Sequence, residues 1–112
     1  MPKRNDNLLL NDIIDCCKNI EEYVGAYTFD EFIHDKRTLD AVIRNFEIIG
    51  EASKMISIEF KNSTTLIEWR MMSDFRNILI HEYFGIDYEV VWQSIKESIP
   101  YNFELLKKIS FS

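Results

Sequence analysis

Apolar residues recur at steps of three and four through most of the chain, and this spacing predicts amphipathic helices. The first predicted helix covers about residues 6–24. Its apolar face comprises Leu9, Ile13, Cys16, Ile20 and Tyr23. Gly25 follows and suits a helix stop.

A capping box and a second apolar stripe predict the next two helices. Thr28 and Glu31 have the spacing of a capping box, which opens a short helix ending near Asp35. A second long helix is predicted over about residues 36–58. Its apolar positions are Leu39, Val42, Ile43, Phe46, Ile49 and Ile56, with Gly50 and Ala52 where a neighbour can pack closely.

The second half of the chain contains further start and stop signals. The polar segment 61–64 is predicted to be a loop, and Thr65 with Glu68 to cap a helix that carries Trp69, Met72, Phe75 and Leu79. This regular spacing favours a core role over a base-stacking platform for the aromatic and methionine group.

Gly85 is suited to the left-handed conformation at the end of a helix, and Asp87 is suited to the N-cap of the next helix. Pro100 is predicted to start or kink a last helix.

The sequence predicts an all-α fold, an antiparallel bundle of four or five helices. With 112 residues, 46% of them hydrophobic, the chain is expected to form one domain over residues 1–112. Only three Gly and two Pro leave little material for the turns of a β fold.

The charge balance opposes non-specific attraction to RNA. Acidic residues outnumber basic ones 19 to 13, so the formal net charge is −6. Binding of a polyanion therefore requires a local cluster of basic side chains. The candidates are Arg70 and Arg76, with Arg44 and Lys54 on another helix.

A cytoplasmic location is expected. Cys16 and Cys17 are neighbours in a predicted helix, where a bridge between them is badly strained, so both thiols are expected to be reduced. The first residues are charged and lack the apolar core of a secretion signal. No run approaches the ~18 apolar residues of a membrane span.

Side chains that can bind phosphate or transfer protons are concentrated in the segment from Arg76 to Tyr83. An arginine that can hold phosphate, a histidine that can move a proton near neutral pH and a tyrosine hydroxyl lie together there. On a continuous helix Arg76 and His81 are about 140° apart around the axis and about 7.5 Å apart along it. One helix alone makes a poor pocket, so catalysis by this motif predicts a dimer in which both pairs line one cleft.

The chemistry that these groups suit is metal-free cleavage of RNA. His81 would take the proton of a ribose 2′-hydroxyl or give a proton to the leaving oxygen, and Arg76 would stabilise charge in the transition state. DNA lacks the 2′-hydroxyl that such a mechanism needs. No metal or cofactor is expected, because His34 has no Cys or His partner at ligand spacing.

Structural roles remain open for each of these residues. His81 can cap a helix end, Arg76 can pair with Glu47 or Glu51, and Tyr83 can pack in the core. Glu47 and Glu51 can orient Arg76 or form ordinary helix-surface pairs with basic neighbours. Together with Asn77, they are candidates for supporting the site.

Two motifs together resemble one family. Arg76-x4-His81-x-Tyr83, followed by Phe-Gly-Ile-Asp, resembles the signature of the HepT-like ribonuclease toxins of the HEPN superfamily. The segment 44–54, Arg-Asn-Phe-Glu-Ile-Ile-Gly-Glu-Ala-Ser-Lys, looks like the same family's R-x-x-E-I-I-G-E-A-x-K helix. The resemblance covers nearly the whole chain in the right order.

The resemblance implies an all-α homodimer with a composite cleft and metal-independent endoribonuclease activity of a toxin–antitoxin pair. Arg76 and His81 correspond to the family's catalytic pair. The implied partner is a minimal nucleotidyltransferase antitoxin that transfers AMP to Tyr83, in a homodimer or a larger hetero-oligomer. A bulky anion beside Arg76 and His81 would obstruct RNA.

Two other functions are compatible with the sequence. The chain can be a non-catalytic helical partner or nucleotide-binding subunit of a nucleotidyltransferase, in which the motif serves dimerisation. It can also be a purely structural bundle. The acidity of the chain and the few basic residues near the motif favour these alternatives.

Overall fold

The fold is helical, as the apolar spacing predicts. The computed structural model describes residues 4–81 and 85–110, with only the backbone described for Arg4, His81 and Ser110. Three helices occupy the first half, and the first and third of them are long. They are α1 (Arg4–Val24), α2 (Phe29–His34) and α3 (Lys36–Met55).

Shorter elements occupy the middle of the chain, and the last part is one long helical run. The short helices are α4 (Ile58–Ser63), α5 (Trp69–Ser73) and α6 (Phe75–Leu79). Two strands follow, β1 (Ile80–His81) and β2 (Gly85–Ile86). The run comprises α7 (Tyr88–Gln93), a π-helical turn (Ser94–Ser98) and α8 (Ile99–Ser110).

The cap and stop signals predicted for the first half are present, whereas Tyr23, predicted to lie on the apolar face of the first helix, is 44% exposed. Glu31 N–H donates to Thr28 Oγ1 and Thr28 N–H to Glu31 Oε1, so the capping box at α2 is confirmed. Gly25 follows α1 with φ +51°, the left-handed conformation that glycine adopts readily.

α3 packs against α1 and also against α5 and α6, and buried apolar residues of these helices form much of the core. Phe46 and Phe75 meet edge to face with ring centroids 4.9 Å apart. Trp69, Met72 and Phe75 are buried, which confirms the core role predicted for this group. Cys16 and Cys17 are buried free thiols, as expected.

The connection after α3 differs from its prediction. α3 ends at Met55 rather than near residue 58, and Ser57 begins a new helix by accepting a hydrogen bond from Phe60 N–H. Ser57 is in turn fixed by the buried carboxylate of Asp6, which accepts from its backbone N–H at 2.9 Å and from its hydroxyl at 2.6 Å. The predicted polar loop therefore lies largely within α4.

The predicted capping box at Thr65 and Glu68 is wrong. Glu68 itself occupies the N-cap of α5 and makes no side-chain cap. Asn102, fully buried in α8, takes over this role, because its Oδ1 accepts from Glu68 N–H at 2.9 Å. A cap supplied from a residue far along the chain leaves no local sequence signal.

Pro100 lies in the first turn of α8, which confirms the prediction that it marks the start of the last helix. A proline inside a helix has no N–H to donate and crowds the carbonyl four residues earlier. The π-helical turn lies just before Pro100, and there Ile99 N–H reaches Ser94 O, one residue farther back than in an α-helix. This wider turn accommodates the proline, so the helix continues.

Candidate functional site

Two buried side chains fix the helix that carries Arg76. Phe75 and Leu79 lie one helical turn apart on α6, and both are almost completely buried. Phe75 packs against Phe46 of α3, so the inner face of α6 is held by the core. Arg76 is exposed beside this buried face. The guanidinium therefore extends to solvent from a rigid support.

Asn77 does not face the core. It is exposed, and its Nδ2 donates to Asp74 Oδ1 at 2.6 Å across the junction between α5 and α6. Asp74 has φ −103° and ψ 10°, outside the α-helical range, which is why the two short helices do not merge into one. Asn77 thus stabilises the junction just before the motif.

The helix ends before His81, which corrects the helical geometry assumed for the motif. Ile80 has φ −117° and ψ 118°, so the backbone becomes extended immediately after Leu79. β1 pairs antiparallel with β2, with Ile80 opposite Ile86 and His81 opposite Gly85. The angle of about 140° expected between Arg76 and His81 on a continuous helix therefore does not apply.

Gly85 also has a different role from the one predicted. Its φ of +78° is left-handed, as expected, but it lies in β2 rather than at a helix end. The extended backbone of this segment has a signal in the sequence, because β-branched and aromatic residues with a glycine favour short hairpins. Helical spacing upstream concealed that signal.

Asp87 ties the strand pair to the next helix. Its N–H donates to Leu79 O at 2.8 Å, which extends the pairing by one bond. Its carboxylate accepts from Val90 N–H at 3.2 Å, so the predicted N-cap of α7 is confirmed. The backbone of His81 is thereby attached to both α6 and α7.

Arg76 is available to bind an anion. Within the described part of the chain, its guanidinium makes no hydrogen bond or ion pair, including none with Glu47 or Glu51. Glu47 is half-buried and Glu51 exposed on α3. Neither glutamate pairs with Arg44 or Lys54 either, so the helix-surface pairs considered from the sequence are not formed.

Two side chains of the motif, those of His81 and Tyr83, are not among the described parts of the structure. Tyr83 is outside the described residues, and His81 is described by its backbone alone. The structure therefore brings Arg76, Asn77 and the His81 backbone onto one supported segment. The roles predicted for the His81 and Tyr83 side chains stay predictions.

The described residues do not form a metal-binding cluster. His34 is exposed, with Nδ1 2.7 Å from Asp30 O in its own helix. Across residues 4–81 and 85–110, no group of three or more His, Cys, Asp or Glu side chains is placed to hold a metal ion. The same residues contain no helix with the length and hydrophobicity of a membrane span.

Sequence reasoning missed two residues that support the segment. Asp74 positions Asn77, and its only signal is a spacing of three residues before an amide side chain. Asn102 donates to Glu68 Oε1 at 2.9 Å and to Ser98 O at 2.8 Å, besides accepting from Glu68 N–H. It joins the last helix to the start of the helices that lead to Arg76.

Comparison with known proteins places the chain among ribonucleases. A family model described as Ribonuclease HepT-like matches residues 13–109. A Thermococcus cleftensis protein named "Probable ribonuclease HepT" is 46% identical over 109 residues, covering 95% of this chain and 99% of that protein. No solved structure gives a significant match.

Two proteins of Methanocaldococcus jannaschii are also similar. One, named "Putative RNase MJ0127", is 39% identical over 109 residues, covering 97% of this chain and 90% of that protein. The other, named "Putative RNase MJ1380", is 42% identical over 100 residues, covering 89% of this chain and 92% of that protein. The family match spans most of the chain, and the relatives match it nearly end to end: this chain belongs to the HepT-like ribonuclease family.

Proposed function

We propose that the chain is a metal-independent endoribonuclease in which Arg76 and His81 are the catalytic residues. The observation that carries the proposal is the state of Arg76, exposed on a core-anchored helix and unpaired among the described residues. The guanidinium has five donors in a fixed fork that matches a phosphate, and none of them is used within the described part of the chain. Its helix is also held by the core and leads directly into the strand that contains His81.

The proposed reaction is an intramolecular transesterification, in which the ribose 2′-oxygen attacks the adjacent phosphate. His81 accepts the proton of the 2′-hydroxyl, whose oxygen forms a bond to phosphorus as the bond to the 5′-oxygen breaks. The departing 5′-oxygen takes up a proton from water, His81 then returns its proton to the hydroxide that remains, and the product strand ends in a 2′,3′-cyclic phosphate. Arg76 stabilises the negative charge that accumulates on the non-bridging oxygens.

The site is proposed to be complete only in a homodimer. Arg76 is exposed on α6, and a single helix and strand pair do not enclose a phosphate. Two copies that pack with these segments facing each other would supply two guanidiniums and two imidazoles to one cleft. Glu47, Glu51 and Asn77 are proposed to support that cleft, and the chain acts as one helical domain.

The proposed biological role is that of the toxin in a toxin–antitoxin pair. The antitoxin is a minimal nucleotidyltransferase that transfers AMP to Tyr83, in a complex that can be larger than a dimer. The added phosphate and nucleoside would compete for Arg76 and obstruct RNA. Mass spectrometry of the chain incubated with the antitoxin and ATP should show one AMP group, absent from Tyr83→Phe.

The chemical proposal is tested by RNA cleavage in excess EDTA. Wild type should cut single-stranded RNA to 2′,3′-cyclic phosphate ends and leave the matching DNA intact. Arg76→Ala and His81→Ala should lose at least about 100-fold in rate, the usual effect of removing such groups. Arg37→Ala, also exposed and in α3, is the matched control and should cut normally.

The second candidate function is favoured by the charge of the chain. A net charge of −6 opposes RNA binding, as expected for a non-catalytic partner or nucleotide-binding subunit of a nucleotidyltransferase. If wild type and both variants are equally inert on RNA while all three bind the antitoxin, this second function replaces the first.

A further inference from the structure

A groove lies directly beside the strand that opposes His81. It has a volume of about 520 Å³ and is formed by residues 85–89 together with Phe29 and Ile33 of α2. This volume falls within the range of about 300–1,000 Å³ typical of small-molecule sites. Because Gly85 is the cross-strand partner of His81, their Cα atoms are about 5 Å apart. The groove and the proposed catalytic segment therefore share one edge.

The walls of the groove are suited to a flat apolar ring. Tyr88 is 43% exposed, and Phe29 is partly exposed while its inner edge packs on Trp92 at a centroid distance of 5.9 Å. At Gly85 an added Cβ would have no neighbour within 4 Å among the described residues, so the backbone there is open to a ligand. Exposed aromatic rings are the surfaces on which bases stack in sites for single-stranded nucleic acids.

The charge of the groove identifies which part of RNA it can accept. The acidic residues that line the groove are Asp87 and Glu89, and none of the described lining residues is Lys or Arg. Two carboxylates repel a phosphate, so the sugar–phosphate backbone is not the occupant. A neutral ring with hydrogen-bond donors on its edge is compatible with both the aromatic walls and the carboxylates.

We propose that this groove binds the nucleobase adjacent to the scissile linkage and prefers guanine. Glu89 is exposed and makes no hydrogen bond or ion pair within the described residues, so its carboxylate is available as a bidentate acceptor. Guanine presents N1–H and N2–H as adjacent donors on one edge, whereas adenine and cytosine present a single amino group there. Asp87 is already engaged in capping α7, which leaves the reading to Glu89.

This inference rests on the proposed ribonuclease function, because it assigns a neighbouring subsite to the same cleavage. It also explains how an acidic chain can bind RNA productively. The bases would contribute binding energy through stacking and hydrogen bonds, so fewer phosphate contacts would be needed. Cleavage would then occur beside guanines rather than at random positions.

The test combines a binding assay with cleavage mapping. Short DNA oligonucleotides, which lack the 2′-hydroxyl and cannot be cut by the proposed chemistry, are titrated by fluorescence anisotropy with one guanine or none in a thymine background. Wild type should prefer the guanine oligonucleotide, and Tyr88→Ala should weaken its binding by about 5- to 100-fold, the usual contribution of one base–aromatic stack. Glu89→Gln should reduce the preference for guanine by about tenfold.

The matched controls lie outside the groove. Tyr23, 44% exposed in α1, matches the exposure of Tyr88, and Glu22 matches Glu89 as an exposed helical carboxylate. Tyr23→Ala and Glu22→Gln should leave the preference for guanine unchanged. Circular dichroism of each variant confirms that it is folded.

The outcomes separate the subsite from the chemistry. Weaker binding of the guanine oligonucleotide by Tyr88→Ala, together with a reduced guanine preference in Glu89→Gln, supports the groove even if wild type cuts no RNA, in which case the proposed function alone fails. RNA cleavage whose position preference is unchanged in Tyr88→Ala and Glu89→Gln overturns the groove while the function stands. A change of oligomeric state in Tyr88→Ala with no change in base preference shows that a second copy occupies the groove, and this also overturns the proposal.

Discussion

Asn102 should contribute more to the stability of this protein than any exposed asparagine. Its side chain is fully buried and bonded at three points: it accepts from Glu68 N–H and donates to Glu68 Oε1 and Ser98 O, at 2.8–2.9 Å. Asn102→Ala removes all of these bonds and leaves the start of α5 without its cap. The helices that carry Arg76 would then lose their connection to α8.

The expected destabilisation follows from the bonds lost. A neutral hydrogen bond contributes about 0.5–1.5 kcal/mol, and a bond to a charged group about 1.5–3 kcal/mol. Glu68 is exposed, so water replaces part of the bond to its carboxylate, and the net loss is about 2–3 kcal/mol. For a domain of this size that corresponds to a fall of about 10 °C in Tm.

Urea unfolding followed by circular dichroism measures this loss directly. The midpoint should fall while the slope stays the same, because the surface exposed on unfolding is unchanged. Asn62→Ala, an exposed asparagine in α4, is the control and should remain within about 0.5 kcal/mol of wild type. If Asn102→Ala is as stable as Asn62→Ala, the role assigned to Asn102 is wrong.

Two further predictions concern ionisable groups. Burial, the largest cause, raises the pKa of Cys16 to about 11 and that of Cys17 to about 12, so both thiols are neutral at pH 8. A thiol-alkylating reagent at pH 8 should label neither cysteine in the native protein and both in urea, as counted by mass spectrometry; rapid native labelling would contradict this burial. The hydrogen bond from Tyr27 Oη to Asp35 Oδ2, 2.6 Å long, is the largest cause that lowers the pKa of Asp35 below its ordinary value of 3.8. Because the folded pKa is depressed, the stabilisation is present above pH 3.8 and is lost as the pH falls through the folded pKa. Carboxyl NMR titration of Tyr27→Phe should show a higher Asp35 pKa than in wild type, and an unchanged value would show that the bond does not act on Asp35.

The sequence predicted the parts of the fold that depend on local patterns. The long helices, the capping box at Thr28 and the N-cap at Asp87 all follow from spacing and residue type, and all are present. The start of α5 could not be predicted, because its cap comes from Asn102, 34 residues away. Tertiary contacts of this kind leave no trace in a local window.

The candidate site was predictable in composition and less so in geometry. Arg76 and His81 stand out as chemically able residues, but the helix was expected to continue through both. It ends at Leu79 because the backbone of Ile80 and His81 pairs with β2 instead. An isolated apolar run cannot distinguish a helix from a short strand, and the pairing partner decides between them.

Subunit complementation tests the central claim most directly. Arg76→Ala and His81→Ala chains that carry different affinity tags are co-expressed. Purification through both tags in turn selects dimers that contain one copy of each variant. If the two residues act together in a shared cleft, this mixed dimer retains one intact arginine and one intact histidine. It should cut RNA in EDTA to 2′,3′-cyclic phosphate ends, while each variant alone does not. A mixed dimer as inactive as its parents would contradict the shared cleft.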